Sequence, residues 1–543
     1  MSIRKNWFTN FTVCIFVIMM TSILCVSVYN HFYAVNNGIF YTCVVLGIIL
    51  ILFLVTNLVI KLLSLNENEY HTIYLMIETI SVVAVFLFGL FLRISPEVVF
   101  AGYSAKFFDA AAMLQKNMQS GNTAALVANI LSEKAIYGYG KITAFFFSFI
   151  GTKQEVMLVM NIIFQMLAIY FVYRIVRRTI GVVYAVFALI ISICMPSQFF
   201  SCYTLNHEAL YAAIFFGAVL LFLFLSSQYG LMKHKIPGIL CYIILGILLG
   251  LLCFMEPVSI LFLLIFCMLL FFSKKKRILL GFMVLFISCA VFIFLTMKMS
   301  NEIGKDYLTV LNAYLYSFSP FGELTQETGL VGIKEIIFSL ANQLDDQSQS
   351  IFSNYTMLRY MDGLLLAPNF VAWIQLINQV MYIWMLLLSA VCGIYMLRSK
   401  RTEAIICVWL TFGAVIMILF DLNKTINAFY YVQLLIIMST MYLYYAYHFY
   451  LKDDLKEELK DNLKRNEMIE IRKDKQITKA QDLQEDAVES PVMELKTEKT
   501  RFIENPLPVP PRHKQKRIDY LIEPSENEMD FDMQVPEDSD WDI

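Results

Sequence analysis

The sequence predicts an all-α polytopic membrane protein of about 12 transmembrane helices. Three observations carry that prediction. Of its 543 residues, 59% are hydrophobic and only 16% are charged, with a mean hydropathy of +0.64, more apolar surface than a soluble chain of this length can hide. Apolar runs of about 20 residues, the length that crosses ~30 Å of hydrocarbon, recur along the chain. These runs lack the alternation of a barrel strand, so helices are the expected spanning element.

Twelve runs fit, at about 8–28, 39–62, 73–92, 156–174, 181–196, 208–226, 238–253, 257–272, 278–297, 374–397, 403–421 and 428–449. MSIRKNWF opens the first run with a short basic flank. No small-x-small cleavage site follows, so a retained helix is expected. The short loops bearing Lys5, Arg174/Arg177/Arg178, Lys233/Lys235, Lys274 to Arg277 and Arg398/Lys400/Arg401 all fall on one side. The positive-inside rule makes that side cytoplasmic, with both termini there, in a plasma membrane. Two large loops, 93–155 and 298–373, then lie outside, with smaller ones at 197–207 and 422–427. The large loops contain AFFFSFIG (144–151) and LLLAPNFVAWI (364–374), too short to span and predicted to lie on the outer leaflet as interfacial helices.

The net charge of −2 conceals an asymmetry. From Leu451 onward 16 Lys+Arg face 25 Asp+Glu, a balance of −9 that leaves +7 for the rest. In the stretch 451–480, Leu451, Leu455, Leu459 and Leu463 recur every four residues among charges, which predicts a juxtamembrane helix. The composition of 481–543 predicts a disordered cytoplasmic tail. Its segment 503–519, with NPLPVPPRHKQKR, is either solvated or a docking site for a cytoplasmic partner. The eleven Cys and six His are scattered, without CxxC or HExxH spacing. The sequence calls for no structural metal, nucleotide fold or nucleic-acid partner; a divalent metal stays open. Asn354-Tyr-Thr is a glycosylation triplet of a kind that arises often by chance.

Candidate chemistry gathers at the outer boundary. The first loop holds Glu97, Asp109 and Glu133 among Lys106, Lys134 and Lys141, with Arg93 closing the third run. His207 and Glu208 open the sixth run, Glu256 sits in a turn, and Asp421 and Lys424 lie between the last two runs. A carboxylate there can take a proton from an acceptor hydroxyl, and cations beside it can hold a phosphate. The same charges also suit span ends that snorkel to water. Asp109 fits either a site or, if its helix starts near Lys106, the first turn of a helix dipole.

The order of FLRISPEVV, SAKFFDAAAMLQKN, YGYGKITAFFFSFIG and EVMLVMNIIFQMLAIYFVYRIVRRTIG resembles integral-membrane glycosyltransferases of the GT-C class. MPSQFFSCYTLNHEALYAAIFF, LLCFMEPVSILF and FDLNKTINAFYYVQLLIIMS continue the likeness. It is nearest to the protein mannosyltransferase-like and aminoarabinose transferase-like families. The likeness covers about 90–450, which divides the chain into an N-terminal transmembrane hairpin (1–72), a GT-C-like core (73–450), the charged helix (451–480) and the tail (481–543). The resemblance implies transfer of a sugar from a polyprenyl-phosphate-linked donor to an envelope glycan or protein acceptor on the outer face, with no assigned cofactor. It implies Asp109 or Glu97 as base, Arg93, Lys141 and Lys424 on the donor phosphate, and Glu208, His207 and Asp421 in support. The chain departs from the class at Ser104, where an Asp is usual, and at Thr425-Ile426, where Arg-Tyr is common. The alternatives are a lipid-linked glycan transporter or flippase and a catalytically lapsed GT-C-like scaffold.

Overall fold

The structure, a computed structural model, describes residues 2–4, 7–34, 38–64, 71–94, 103–116, 123–226, 235–271, 277–317, 368–398, 401–403, 405–420 and 429–448. The expected juxtamembrane helix, tail and partner segment, together with Glu97, Asp421, Lys424, Thr425-Ile426 and Asn354, lie outside the described residues.

Helices occupy all twelve apolar runs. In chain order they are α1 (Trp7–Ala34), α2 (Gly38–Ser64) and α3 (His71–Ile94), then α7 (Gln154–Thr179), α8 (Val182–Cys194) and α10 (Glu208–Ser226). They continue with α11 (Lys235–Met255), α12 (Ile260–Phe271), α13 (Arg277–Ile303), α15 (Pro368–Arg398), α16 (Ile405–Phe420) and α17 (429–448). Between α3 and α7 come three helices outside the runs, α4 (Tyr103–Gln115), α5 (Thr123–Ser132) and α6 (Ala135–Ile150). The short α9 (Pro196–Phe200) follows α8, and α14 (Tyr307–Ser317) follows α13.

Among the described residues six helices are long and apolar enough to cross a membrane, and a seventh counts if α8 and the 64° bent segment after it form one span. Several others, α8, α12 and α16 among them, are shorter than the ~20 residues a crossing takes. Proline explains two of the breaks. Pro196 and Pro257 lack the N–H that a continuing helix needs, and Met195 (ψ 124°) and Glu256 (φ −131°, ψ 107°) take the extended backbone favoured before proline.

One expectation needs correction. LLLAPNFVAWI is no separate interfacial helix: from Pro368 onward it is the start of the 31-residue α15, with Pro at the first position, where its fixed φ suits a helix. The helical fold also carries one short strand pair. β1 (Ser2–Arg4) pairs antiparallel with β2 (Arg401–Glu403), Ile3 opposite Thr402. Short extended segments beside one another satisfy their backbone groups in this way. AFFFSFIG forms the second half of α6, where Phe145, Phe149 and Ile150 are exposed.

Helix α17 is the centre post. Every residue from 429 to 447 is buried except the half-buried Tyr444, as expected of a helix apolar all round. It is contacted by Ser192 of α8 through Gln433 (2.9 Å), by Tyr211 and Phe262 around Tyr430, and by Asn57 of α2 through the Tyr442 hydroxyl (2.6 Å). The outer wall faces lipid: Leu279, Phe286 and Phe294 of α13 are two-thirds or more exposed, a stripe that water would not tolerate on one helix. One end of the bundle, the loop end, carries α4 to α6, the 195–207 segment, Glu256 and α14.

Helices α11 and α13 meet through glycine. A Cβ on Gly250 would stand 2.8 Å from the Ser288 carbonyl oxygen, and one on Gly246 would stand 2.9 Å from Ile287 side-chain carbons. The Ser288 hydroxyl donates to the Gly246 carbonyl at 2.9 Å, the close small-residue packing that helices use inside bilayers. Gly250→Val should therefore lower stability by about 1–3 kcal/mol or more, read as a fall in the thermal unfolding midpoint of the detergent-solubilised chain.

Candidate functional site

A stretch of non-helical backbone at the loop end positions the site. Residues 201–207 leave α9 through a 3-10 turn and enter α10 at Glu208. They are nearly all buried, so their backbone groups need protein partners. Asn161 of α7 donates to the Thr204 carbonyl (2.8 Å) while accepting from the Tyr139 hydroxyl of α6 (2.6 Å). The Leu205 N–H donates to the Ser104 hydroxyl of α4 (3.2 Å). The Tyr203 hydroxyl donates to the Arg93 carbonyl (3.1 Å). Asn206 then accepts from the Glu208 N–H (3.1 Å), and the His207 carbonyl accepts from Tyr211 (2.8 Å), which starts α10 and sets His207 at its cap.

His207 is fully buried and stacks on Phe107 of α4, ring centroids 5.8 Å apart. Its Nε2 lies 2.7 Å from Glu256 Oε1. Burial alone would lower the histidine pKa, but the hydrogen bond and charge of Glu256, with Glu133 and Glu208 nearby, outweigh it and raise the value. Lys134, at the α5–α6 junction, is buried beside this pair, its Nζ 6.0 Å from the Tyr314 ring centre. Burial pushes Lys134 down to about 8 against the opposing pull of Glu256 and Glu133. Tyr314 of α14 in turn donates to the Phe254 carbonyl (2.9 Å), just before Glu256. An imidazole, two or three carboxylates and an ammonium of lowered pKa thus share one buried corner. Among the described residues no three His, Cys, Asp or Glu side chains converge as a metal-binding set.

The expected site residues are distributed unevenly. His207 and Glu208 belong to this corner. Asp109 is exposed on α4; it lies two residues, about 200° around the helix, from the buried Phe107 that faces His207. Because α4 starts at Tyr103, Asp109 sits in its second turn rather than the first. Ser104, where an Asp was expected, is on the side that meets the 201–207 segment. Lys141 pairs with Glu302 at 2.5 Å. Arg93 is fully buried: Nε donates to Gln165 Oε1, Nη1 to the Gly89 carbonyl (3.1 Å), and the guanidinium lies 5.2 Å from the Phe199 ring centre. The sequence named Glu133, Lys134 and Glu256 among its boundary charges without singling them out. Glu256 pairs with His207 across 49 residues of chain, and no spacing rule encodes that. Tyr314 was missed altogether.

No protein-family model and no curated protein matches the chain. Among solved structures it is similar to the GT-C glycosyltransferases AglB and ArnT. The apo form of the Archaeoglobus fulgidus oligosaccharyltransferase shares 14% identity over 73% of this chain and 52% of its own, with a TM-score of 0.42. The archaeal oligosaccharyltransferase AglB from Archaeoglobus fulgidus, in complex with an inhibitory peptide and a dolichol-phosphate, shares 13% over 70% and 51%, with a TM-score of 0.40. ArnT from Cupriavidus metallidurans bound to undecaprenyl phosphate shares 11% over 69% and 76%, with a TM-score of 0.32. The chain spans about half the length of the archaeal enzymes it matches.

The buried pair makes a pH-dependent contribution to stability. His207 has a raised pKa in the fold, so its contribution is complete below the unfolded value of about 6.5 and is lost as pH rises through the folded value. Lys134 acts in a separate window: its folded value near 8 against 10.5 unfolded costs stability below about 8 and relieves it above. Thermal unfolding midpoints of the wild type should fall relative to His207→Gln as pH rises from 6 to 8.

Proposed function

We propose that this chain is a membrane glycosyltransferase that moves a sugar from a polyprenyl-phosphate-linked donor to an envelope glycan or protein acceptor. Its helices make twelve crossings, both ends of the chain lie in the cytoplasm, and the loop end faces outward. The observation that carries the reading is the His207–Glu256 pair at 2.7 Å beside buried Lys134. Glu256, oriented by His207, is suited to take the proton of an acceptor hydroxyl as the glycosidic bond forms. Lys134 is suited to neutralise the lipid-phosphate leaving group. The interfacial half of α6 would lie where a lipid donor meets water. Glu97 and Asp109 are the alternative base, with Arg93, Lys141 and Lys424 as further phosphate ligands and Glu208 and Asp421 in support. A second reading, a relative without catalysis that acts as a scaffold, is favoured by Ser104, whose hydroxyl is bound to the Leu205 N–H where the resembled families carry an Asp.

Proteoliposomes holding the full chain, a radiolabelled polyprenyl-phosphate sugar and several acceptor classes test this. Transfer should fall about 10²–10⁴-fold in Glu256→Gln and little in Asp109→Asn; the reverse order would assign the base to the first loop. Donor affinity should weaken as pH rises through about 8, where Lys134 loses its proton, and Lys134→Arg should flatten that profile because a guanidinium stays charged. Absence of both transfer and donor binding with every acceptor would exclude the enzyme.

A further inference from the structure

An apolar groove of about 510 Å³ runs between α7 and α10, with Leu248 of α11 at its side. Its α7 wall is Phe164, Leu167 and Phe171, positions three, four and seven apart that share one helix face. The same face continues one turn further to Arg174 and then Arg178, seven residues beyond Phe171, both exposed. On α10 the wall runs from Leu210 to Phe224, about 21 Å of helix and longer than the ~15 Å of one leaflet's hydrocarbon. At the far end the Arg178 guanidinium lies 4.5 Å from the Phe224 ring centre and so bridges the two helices where the groove closes.

The groove is apolar along its length and cationic at one end. Arg174 and Arg178 are one turn apart, close enough to act on a single anion. The sequence has no Asp or Glu from 156 to 207 or from 209 to 255, so α7, α8, α10 and α11 bring no carboxylate to the basic end. An occupant therefore combines a linear hydrocarbon with a negative head near the membrane surface on the side of the basic loops.

We propose that this groove holds one acyl chain of an anionic phospholipid whose phosphate sits on Arg174 and Arg178. The site is separate from the His207–Glu256 corner, which lies at the opposite end of α10, and does not depend on the transfer reaction. Two cations near the surface favour an anionic over a zwitterionic lipid by about ten-fold or more.

Native mass spectrometry of the detergent-solubilised full chain with added dioleoyl-phosphatidylglycerol or dioleoyl-phosphatidylcholine tests the proposal. The wild type should retain one phosphatidylglycerol at least about ten-fold better than phosphatidylcholine. The double variant Arg174→Gln/Arg178→Gln should retain the two lipids equally. Leu220→Trp, which fills the groove, should lose both; Leu221→Trp serves the same purpose if the first variant does not fold. Equal retention by the wild type, a preference that survives loss of both arginines, or full retention in a folded groove-filling variant would each overturn it.

Discussion

The constraint on which the rest depends is the burial of an irregular chain segment. Between α8 and α10 the chain breaks into the short α9, a 3-10 turn and the non-helical residues 204–207, inside a protein that faces lipid. Each exposed N–H or carbonyl there must find a partner, since an unsatisfied one costs several kcal/mol in such surroundings. The partners come from everywhere around it. The Ser197 N–H donates to Asn378 of α15 (2.9 Å), and Gln165 of α7 donates to the Ser201 hydroxyl (2.6 Å). Gln433 of α17 donates to Gln198 Oε1 (2.6 Å), and Asn161 holds Thr204. Three helices, α7, α15 and α17, are thereby fixed against one strip of chain. Arg93 contributes by orienting Gln165 from its buried place beside Phe199.

This scaffold places the chemistry. The segment ends at His207 because Asn206 and the His207 carbonyl start α10. Glu256 comes to meet it because Pro257 interrupts the next helix pair at the same level. Phe107 and Tyr139 close the corner from α4 and α6 and restrict water, which strengthens the pull between the imidazole and the carboxylates. The opposite shifts of His207 and Lys134 follow from one arrangement. Acids surround both, but the hydrogen bond that His207 donates to Glu256, together with the acids' charge, outweighs its burial, whereas for Lys134 desolvation prevails.

Much of the helical plan was legible before any coordinates. Apolar runs mark helices because the bilayer demands about 20 such residues, and all twelve runs contain one. Helix length was less legible, since Pro196 and Pro257 cut runs that hydropathy alone reads as continuous. The two-stranded pairing of residues 2–4 with 401–403 had no local signal, because it joins segments about 400 residues apart. The GxxxG spacing of Gly246 and Gly250 suits close helix contacts but was not read from the sequence. Ser104 and Asp109 show the limit for the site: their five-residue separation is plain in the chain, but only the packing of α4 puts Ser104 against the 201–207 segment and Asp109 on the exposed side.

The sequence by itself determined that this is a helical membrane protein with polar residues concentrated at one set of span ends, because hydrocarbon thickness and charge burial act on local composition. Tertiary structure alone decided which of those polar residues meet. His207 was one of several boundary groups until α4, α6, α11 and α14 closed around it. The pairing energy of a buried imidazole and carboxylate depends on distance and dielectric, and both are properties of packing.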